Sequence, residues 1–132
     1  MPCATVEMSR ENTVLVEKNG PVTTVILNRP EVRNAVDPAT GRKLVDAFLA
    51  FERDPEAVVA VFWGAGGTFC AGGDLKALSQ SDGKVWMEDL KFQETGNGEL
   101  PPSPLGPSRL QLSKPVIAAI AGPVSGDSQM RR

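Results

Sequence analysis

Two stretches rich in β-branched and apolar residues, Thr13 to Glu17 and Val22 to Leu27, flank Asn19-Gly20, a dipeptide suited to the positive φ of a tight turn. The pattern predicts strand, turn, strand. Asn28-Arg29-Pro30-Glu31 ends the second strand, and Asp37-Pro38 follows as an N-cap with the proline favoured in a first helical turn. Leu44, Val45, Phe48 and Phe51 then fall on one helical stripe, Arg42, Asp46 and Glu52 lie off it, and Asp54-Pro55 closes the segment. That predicts an amphipathic helix with one buried face. Val58 to Trp63 is an unbroken apolar run bounded by glycines, the pattern of a strand covered on both faces in a largely parallel sheet. The glycine-rich stretch from Gly64 to Gly73 leads into Asp74-Leu75-Lys76-Ala77-Leu78, a capped helix start. Ser79 to Pro107 is polar and punctuated by glycine and proline, the composition of an adaptable loop. A short helix is expected around Ser108 to Leu112. Lys114-Pro115 then introduces a further buried strand, Val116 to Ala121, since proline is tolerated at a strand's first residue.

Composition narrows the chemistry. With 132 residues, 41% apolar and 23% charged, the chain has room for one ordinary soluble domain and not for a second. Fourteen Lys and Arg against sixteen Asp and Glu leave a formal charge of -2, without the basic excess of a nucleic-acid binder, so no nucleic-acid partner is expected. The longest apolar runs fall far short of the roughly 20 residues of a membrane helix, and no membrane partner is expected either. There is no histidine, which removes Ser-His-Asp and Cys-His machinery and zinc sites that need imidazole. Cys3 and Cys70 lie far apart and form no C-x-x-C pair, so no metal site is expected and a reducing compartment fits. Residues 1–12 read as a polar lead without a signal or transit pattern, which points to the cytoplasm and leaves a mitochondrial or peroxisomal location open.

Carboxylates, amines, a thiol and the backbone remain as chemical tools. A glycine loop entering a helix can aim N–H groups at an oxygen anion, and Gly72-Gly73-Asp74 fits that arrangement. The same glycines would serve equally well to make a tight strand-to-helix turn. The loop fails the dinucleotide fingerprint, because the sixth position counted from Gly64 is Phe69, and it lacks the Gly-Lys-Ser/Thr ending of a P-loop.

Four stretches taken in order carry a more specific signal: Val22 to Leu27 with Asn28-Arg29-Pro30 and Arg33-Asn34-Ala35; Val58 to Trp63; Phe69-Cys70-Ala71-Gly72-Gly73-Asp74-Leu75; and Lys114-Pro115-Val116-Ile117-Ala118-Ala119-Ile120. Together they resemble the enoyl-CoA hydratase/isomerase, or crotonase, superfamily over roughly Val14 to Gly122. The resemblance implies an α/β fold, an incomplete crotonase-like spiral of ββα units with a largely parallel sheet. Residues 13–126 would form a partial acyl-CoA-binding domain, followed by a polar tail at 127–132.

The family polarises an acyl-CoA thioester with two backbone N–H groups that stabilise an enolate-like oxyanion. By motif match the N–H of Gly73 would be the first donor. The backbones of Ala71 and Leu75 would contact the CoA adenine or pantetheine, Ala35 would lie in the same CoA-lining turn, and Arg33 and Lys76 would approach the phosphates. Asp74 belongs to this group of substrate-binding residues and reads as a helix cap rather than a catalytic base. Coenzyme A would enter as part of the substrate, in fatty acid metabolism, with no permanently bound cofactor. The resemblance departs at the carboxyl end. Asp127 and Ser128 stand where the second oxyanion glycines would be, Met130 stands where the first acid/base glutamate would be, and neither family glutamate is matched. Glu88, Asp89, Glu94 and Glu99, in the variable loop, read as solvated charges. The expectation is a truncated, catalytically impaired form of a hydratase or isomerase. The alternatives are a non-catalytic acyl-CoA binder or a structural fragment, able to associate with itself or with full-length family members.

Overall fold

The computed structural model describes residues 12–80 and 105–124. The polar lead up to Glu11, most of the Ser79 to Pro107 loop with Glu88, Asp89, Glu94 and Glu99, and the Asp127, Ser128 and Met130 positions lie outside the described residues. Strands β1 (Val14–Asn19) and β2 (Val22–Leu27) form an antiparallel hairpin. Helix α1 (Pro38–Arg53) crosses to β3 (Val59–Gly64), which runs parallel to β2. Helix α2 (Leu75–Gln80) follows, and β4 (Val116–Ala119) adds a second parallel pairing, so the sheet order is β1-β2-β3-β4.

The hairpin closes one residue later than the sequence suggested. Asn19 pairs with Val22, so the two-residue loop is Gly20-Pro21 rather than Asn19-Gly20. Gly20 takes the positive φ, 58°, at the first loop position, and the proline ring supplies the negative φ of the second. Helix α1 starts where expected: Asp37 accepts a hydrogen bond from the Thr40 N–H at 2.7 Å, and Pro38 sits in the first turn. Its predicted stripe is its buried face. Leu44, Phe48 and Phe51 pack against Val25, Leu27, Ala60 and Phe62 on one side of the sheet. Phe62 meets Phe48 and Phe69 edge-on at centroid distances of 5.3 and 5.1 Å.

The other side departs from expectation. Among the described residues β3 is fully buried on one face only: Ala60 and Phe62 lie in the core, whereas on the other face Val59 and Val61 are half-buried and Trp63 is 38% exposed. The same alternation continues into β4, the edge strand, where Val116 and Ala118 pack inward and Ile117 is 58% exposed. An apolar run reports that a strand avoids water without saying what covers it, and one crossing helix covers one face. The expected helix around Ser108 to Leu112 is a single 3-10 turn, Pro107–Arg109, and the strand expected to reach Ala121 ends at Ala119.

Candidate functional site

Two loops leave the same end of the parallel strands β2 and β3 and lie side by side. The first, from Asn28 to Asp37, makes a 3-10 turn at Pro30–Val32 and then places both Arg33 and Asn34 in the left-handed region, at φ 53° and 58°. Asparagine tolerates that conformation because its short side chain bonds locally. Asn34 is fully buried; its Oδ1 accepts from the Arg29 N–H at 2.7 Å, and its Nδ2 donates to the carbonyls of Ala65 and Thr68, each at 2.7 Å. One side chain thereby fastens the first loop to the second, which runs from Ala65 to Asp74.

Beyond that anchor the backbones zip together. The Ala71 N–H donates to Arg33 O at 3.1 Å, the Val36 N–H to Gly72 O at 2.8 Å, and the Asp74 N–H to Val36 O at 2.9 Å. In extended backbone the carbonyl of one residue and the N–H two residues on point the same way, and the N–H between them points the opposite way. Gly72 O and Asp74 N–H both face Val36, so the Gly73 N–H is turned away from the first loop and has no acceptor among the described residues. Such an N–H can donate to a ligand oxygen.

On its other flank the second loop meets residues 121–124. The Phe69 N–H donates to Ala121 O at 3.0 Å, and Cys70 bridges to Val124. Gly122, at φ 72°, has its Cα so close to Gly67 O that any side chain would collide with it. Between these segments lies a cavity of about 480 Å³ lined by Arg33, Thr68, Ala71, Pro123 and Val124.

The site residues expected from sequence divide accordingly. Arg33 and Ala71 line the cavity. Gly73 stands two residues beyond Ala71 on the same ladder and does not line it. Ala35 is half-buried, and its carbonyl accepts from the Arg29 guanidinium. Leu75 is 77% exposed; Lys76 is exposed and is held locally through its N–H to Asp74.

The Asp74 carboxylate is engaged with protein groups. Its Oδ1 accepts from the N–H groups of Lys76 and Ala77, which caps α2, and its Oδ2 accepts from both terminal nitrogens of Arg29 at 3.2 Å. Burial works against its charge, but the Ala77 N–H, the Arg29 guanidinium and the Lys76 N–H outweigh it and hold the acid below its ordinary range. Asp37 is likewise held low: burial opposes its charge, and its bonds to Thr40 and the nearby Arg29 prevail. Burial pushes the Cys70 thiol up, so it stays protonated, with the Gly72 N–H directed at its sulfur at 3.4 Å. Among the described residues no group of three or more metal-binding side chains occurs, and no helix is long and apolar enough to cross a membrane.

Arg29, Asn34 and Thr68 were not assigned a role from sequence. Arg29 belongs to the Asn28-Arg29-Pro30 stretch, and Asn34 is a residue type suited to positive φ, but each also takes partners from the second loop, Asp74 for Arg29 and Ala65 and Thr68 for Asn34.

A parallel sheet extended by a hairpin, a helix on one face and two zipped loops beyond the strand ends define an α/β fold whose site is built mainly from backbone. The chain belongs to the enoyl-CoA hydratase/isomerase family, whose sequence pattern matches residues 17–127. Its fold is that of the crotonase-like enoyl-CoA hydratases. It is 35% identical to an enoyl-CoA hydratase of Mycobacterium tuberculosis over 96% of this chain and 45% of that protein. A carnitinyl-CoA dehydratase of Salmonella arizonae is 36% identical over 80% of this chain and 36% of its own length. Among solved structures, an enoyl-CoA hydratase from Mycobacterium tuberculosis superposes with a TM-score of 0.66 at 35% identity, covering 85% of this chain and 39% of the other. The chain thus spans less than half the length of these relatives.

Proposed function

We propose that this chain binds an acyl-CoA thioester and receives its carbonyl oxygen on the Gly73 N–H. The observation that carries the reading is that N–H itself, left without an acceptor among the described residues while both neighbours on the ladder are paired. The relatives' names support the ligand class, since enoyl-CoA and carnitinyl-CoA are both esters of coenzyme A. In this reading the backbones of Ala71, Ala35 and Leu75 follow the CoA moiety, and Arg33 and Lys76 approach its phosphates. Asp74 caps α2 beside them, and coenzyme A is part of the ligand rather than a resident cofactor. A donor placed where negative charge develops stabilises an enolate-like oxygen more than the ground-state carbonyl, which is the basis of hydratase and isomerase chemistry.

Turnover also needs positioned acid/base groups. At the positions matched to the family's second oxyanion donor and first glutamate this sequence carries Asp127 and Met130, so binding without appreciable turnover is the expected behaviour. Loss of one oxyanion donor typically costs about 100- to 1000-fold in rate, and each proton-transfer group typically contributes about 100- to 10,000-fold. The exposed apolar residues of β3 and β4, and a β4 edge without a further strand among the described residues, support association with a second copy or with longer family members.

Titration calorimetry with acetyl-CoA tests the binding. Wild type should bind, and Lys76→Ala should bind several-fold more weakly; equal affinities would remove Lys76 from the site, and no binding by wild type would overturn the reading. Absorbance of crotonyl-CoA should stay constant with purified protein, and turnover that disappears in Gly73→Pro would refute the expected loss of activity. Size-exclusion chromatography reports the association, and a monodisperse monomer would exclude it.

A further inference from the structure

Arg29 carries more polar contacts than any role so far given to it requires. Its side chain is only 13% exposed. Nη1 donates to Ala35 O at 2.6 Å and to Asp74 Oδ2 at 3.2 Å, and Nη2 donates to the same Oδ2 at 3.2 Å while lying 3.4 Å from Asp37 Oδ2. Its own backbone N–H is fixed by Asn34. One planar guanidinium therefore joins the cap of α1, the cap of α2 and the backbone between Asn34 and Val36.

Those three points surround the rung that orients Gly73. The direction of the Gly73 N–H is set by the peptide planes on either side of it, and these are held by the pairing of Gly72 O and Asp74 N–H with Val36. Val36 is flanked by Ala35, whose carbonyl Arg29 holds, and by Asp37, whose carboxylate Arg29 faces. Opposite, Gly73 is followed directly by Asp74, whose carboxylate Arg29 holds from both nitrogens. Arg29 grips residues on both strands of the ladder next to the rung while leaving the outward N–H untouched.

We propose that Arg29 is a positioning residue: it fixes the direction of the Gly73 N–H and so sets how strongly the site distinguishes a thioester carbonyl from a group that cannot accept a hydrogen bond. The proposal rests on the reading of Gly73 as the carbonyl donor and adds to it the residue that aims the donor. Lysine cannot replace this function, because an ammonium is a point charge without the rigid fork that reaches two carboxylates and a carbonyl together.

The test must separate aiming from general loosening of the fold, since removing a nearly buried cation between two carboxylates also destabilises. Acetyl-CoA and S-ethyl-CoA differ at the carbonyl, which in the thioether is a methylene, so the ratio of their dissociation constants isolates the hydrogen bond from Gly73. One such bond gives wild type a preference of about twofold to tenfold for acetyl-CoA. In Arg29→Lys the ratio should fall to about one while affinity for S-ethyl-CoA changes less than twofold; a loosened fold would weaken both ligands alike and leave the ratio unchanged. A wild-type ratio retained in Arg29→Lys overturns the proposal. If circular dichroism shows that Arg29→Lys does not fold, Arg29→Gln combined with Asp37→Asn, which keeps the oxygen that caps α1 and removes both charges of that pair, is read by the same criterion. A wild type that binds neither ligand, or both equally, fails at Gly73 itself, and the proposal falls with that reading.

Discussion

Replacing Asn34 tests whether the two site loops are held by one side chain. Asn34→Ala removes three hydrogen bonds of 2.7 Å at a fully buried position. The Ala65 carbonyl is left buried without its donor, at a cost of about 2 kcal/mol, and the partly buried Thr68 carbonyl and Arg29 N–H lose about 1 kcal/mol each. The backbone at φ 58° adds about 1 kcal/mol, because alanine lacks the polar side chain that makes this conformation tolerable. The expected loss is about 5 kcal/mol, a large part of the roughly 5 to 15 kcal/mol that holds a typical domain together. Urea denaturation followed by far-ultraviolet circular dichroism gives the number, and two further variants apportion it. Asn34→Gly removes the same bonds but not the backbone tolerance, so it should be about 1 kcal/mol more stable than Asn34→Ala. Asn34→Asp is nearly isosteric and keeps the acceptor for Arg29, yet it sets a carboxylate against two carbonyl oxygens and should be no more stable than the alanine variant. An Asn34→Ala protein within about 0.5 kcal/mol of wild type, the scatter of ordinary surface changes, or an Asn34→Asp protein equal to wild type, would show that the loops are held by something else.

What the sequence made legible follows from how local each signal is. The start, end and buried face of α1 were readable because cap, first-turn proline and apolar period all lie within the helix itself. The hairpin was readable to within one residue, since both Asn19 and Gly20 suit a positive φ and the register is decided only by pairing across the strands. The unequal burial of the two faces of β3 among the described residues was not readable, because an apolar run has no period from which to count covered faces. At the site, the resemblance singled out Gly73 but gave no reason for its N–H to lack an acceptor among the described residues. That reason is the rung with Val36, formed by backbone, which leaves no trace in residue type. Arg29 and Asn34 escaped for a related cause: Asp74 lies 45 residues from Arg29, and Ala65 lies 31 from Asn34, beyond the reach of any spacing rule.

Two further outcomes follow from the same geometry. Asp37 and Asp74 are both held below the ordinary aspartate value near 3.8 in the folded chain, so the unfolded chain binds protons more readily than the native one; the stability they contribute is full above that unfolded value and is lost as pH falls through their lower folded values. The urea midpoint should therefore fall steeply below about pH 4, less so in Asp37→Asn/Asp74→Asn, and stability that rises on acidification would refute the assignment. The final outcome concerns the outward face of β4, which is exposed among the described residues. Ile117 and Ala118 are neighbours on the edge strand β4, with Ile117 outward and 58% exposed and Ala118 turned toward the core formed with α1. A lysine at the outward position keeps its ammonium in water in the monomer and, at a concentration where the chain is monomeric, should change the unfolding free energy by no more than about 0.5 kcal/mol, the ordinary range for surface substitutions. A lysine at the inward position must either carry its charge into an apolar layer or displace that layer, and either costs several kcal/mol on the order of a buried unpaired polar group. Ile117→Lys and Ala118→Lys thus form a pair that differs by one residue in sequence and by the face of the sheet in structure. Equal destabilisation of the two would mean that the outward face is covered in solution, because only a face already shielded from water resists a charge as strongly as the core does.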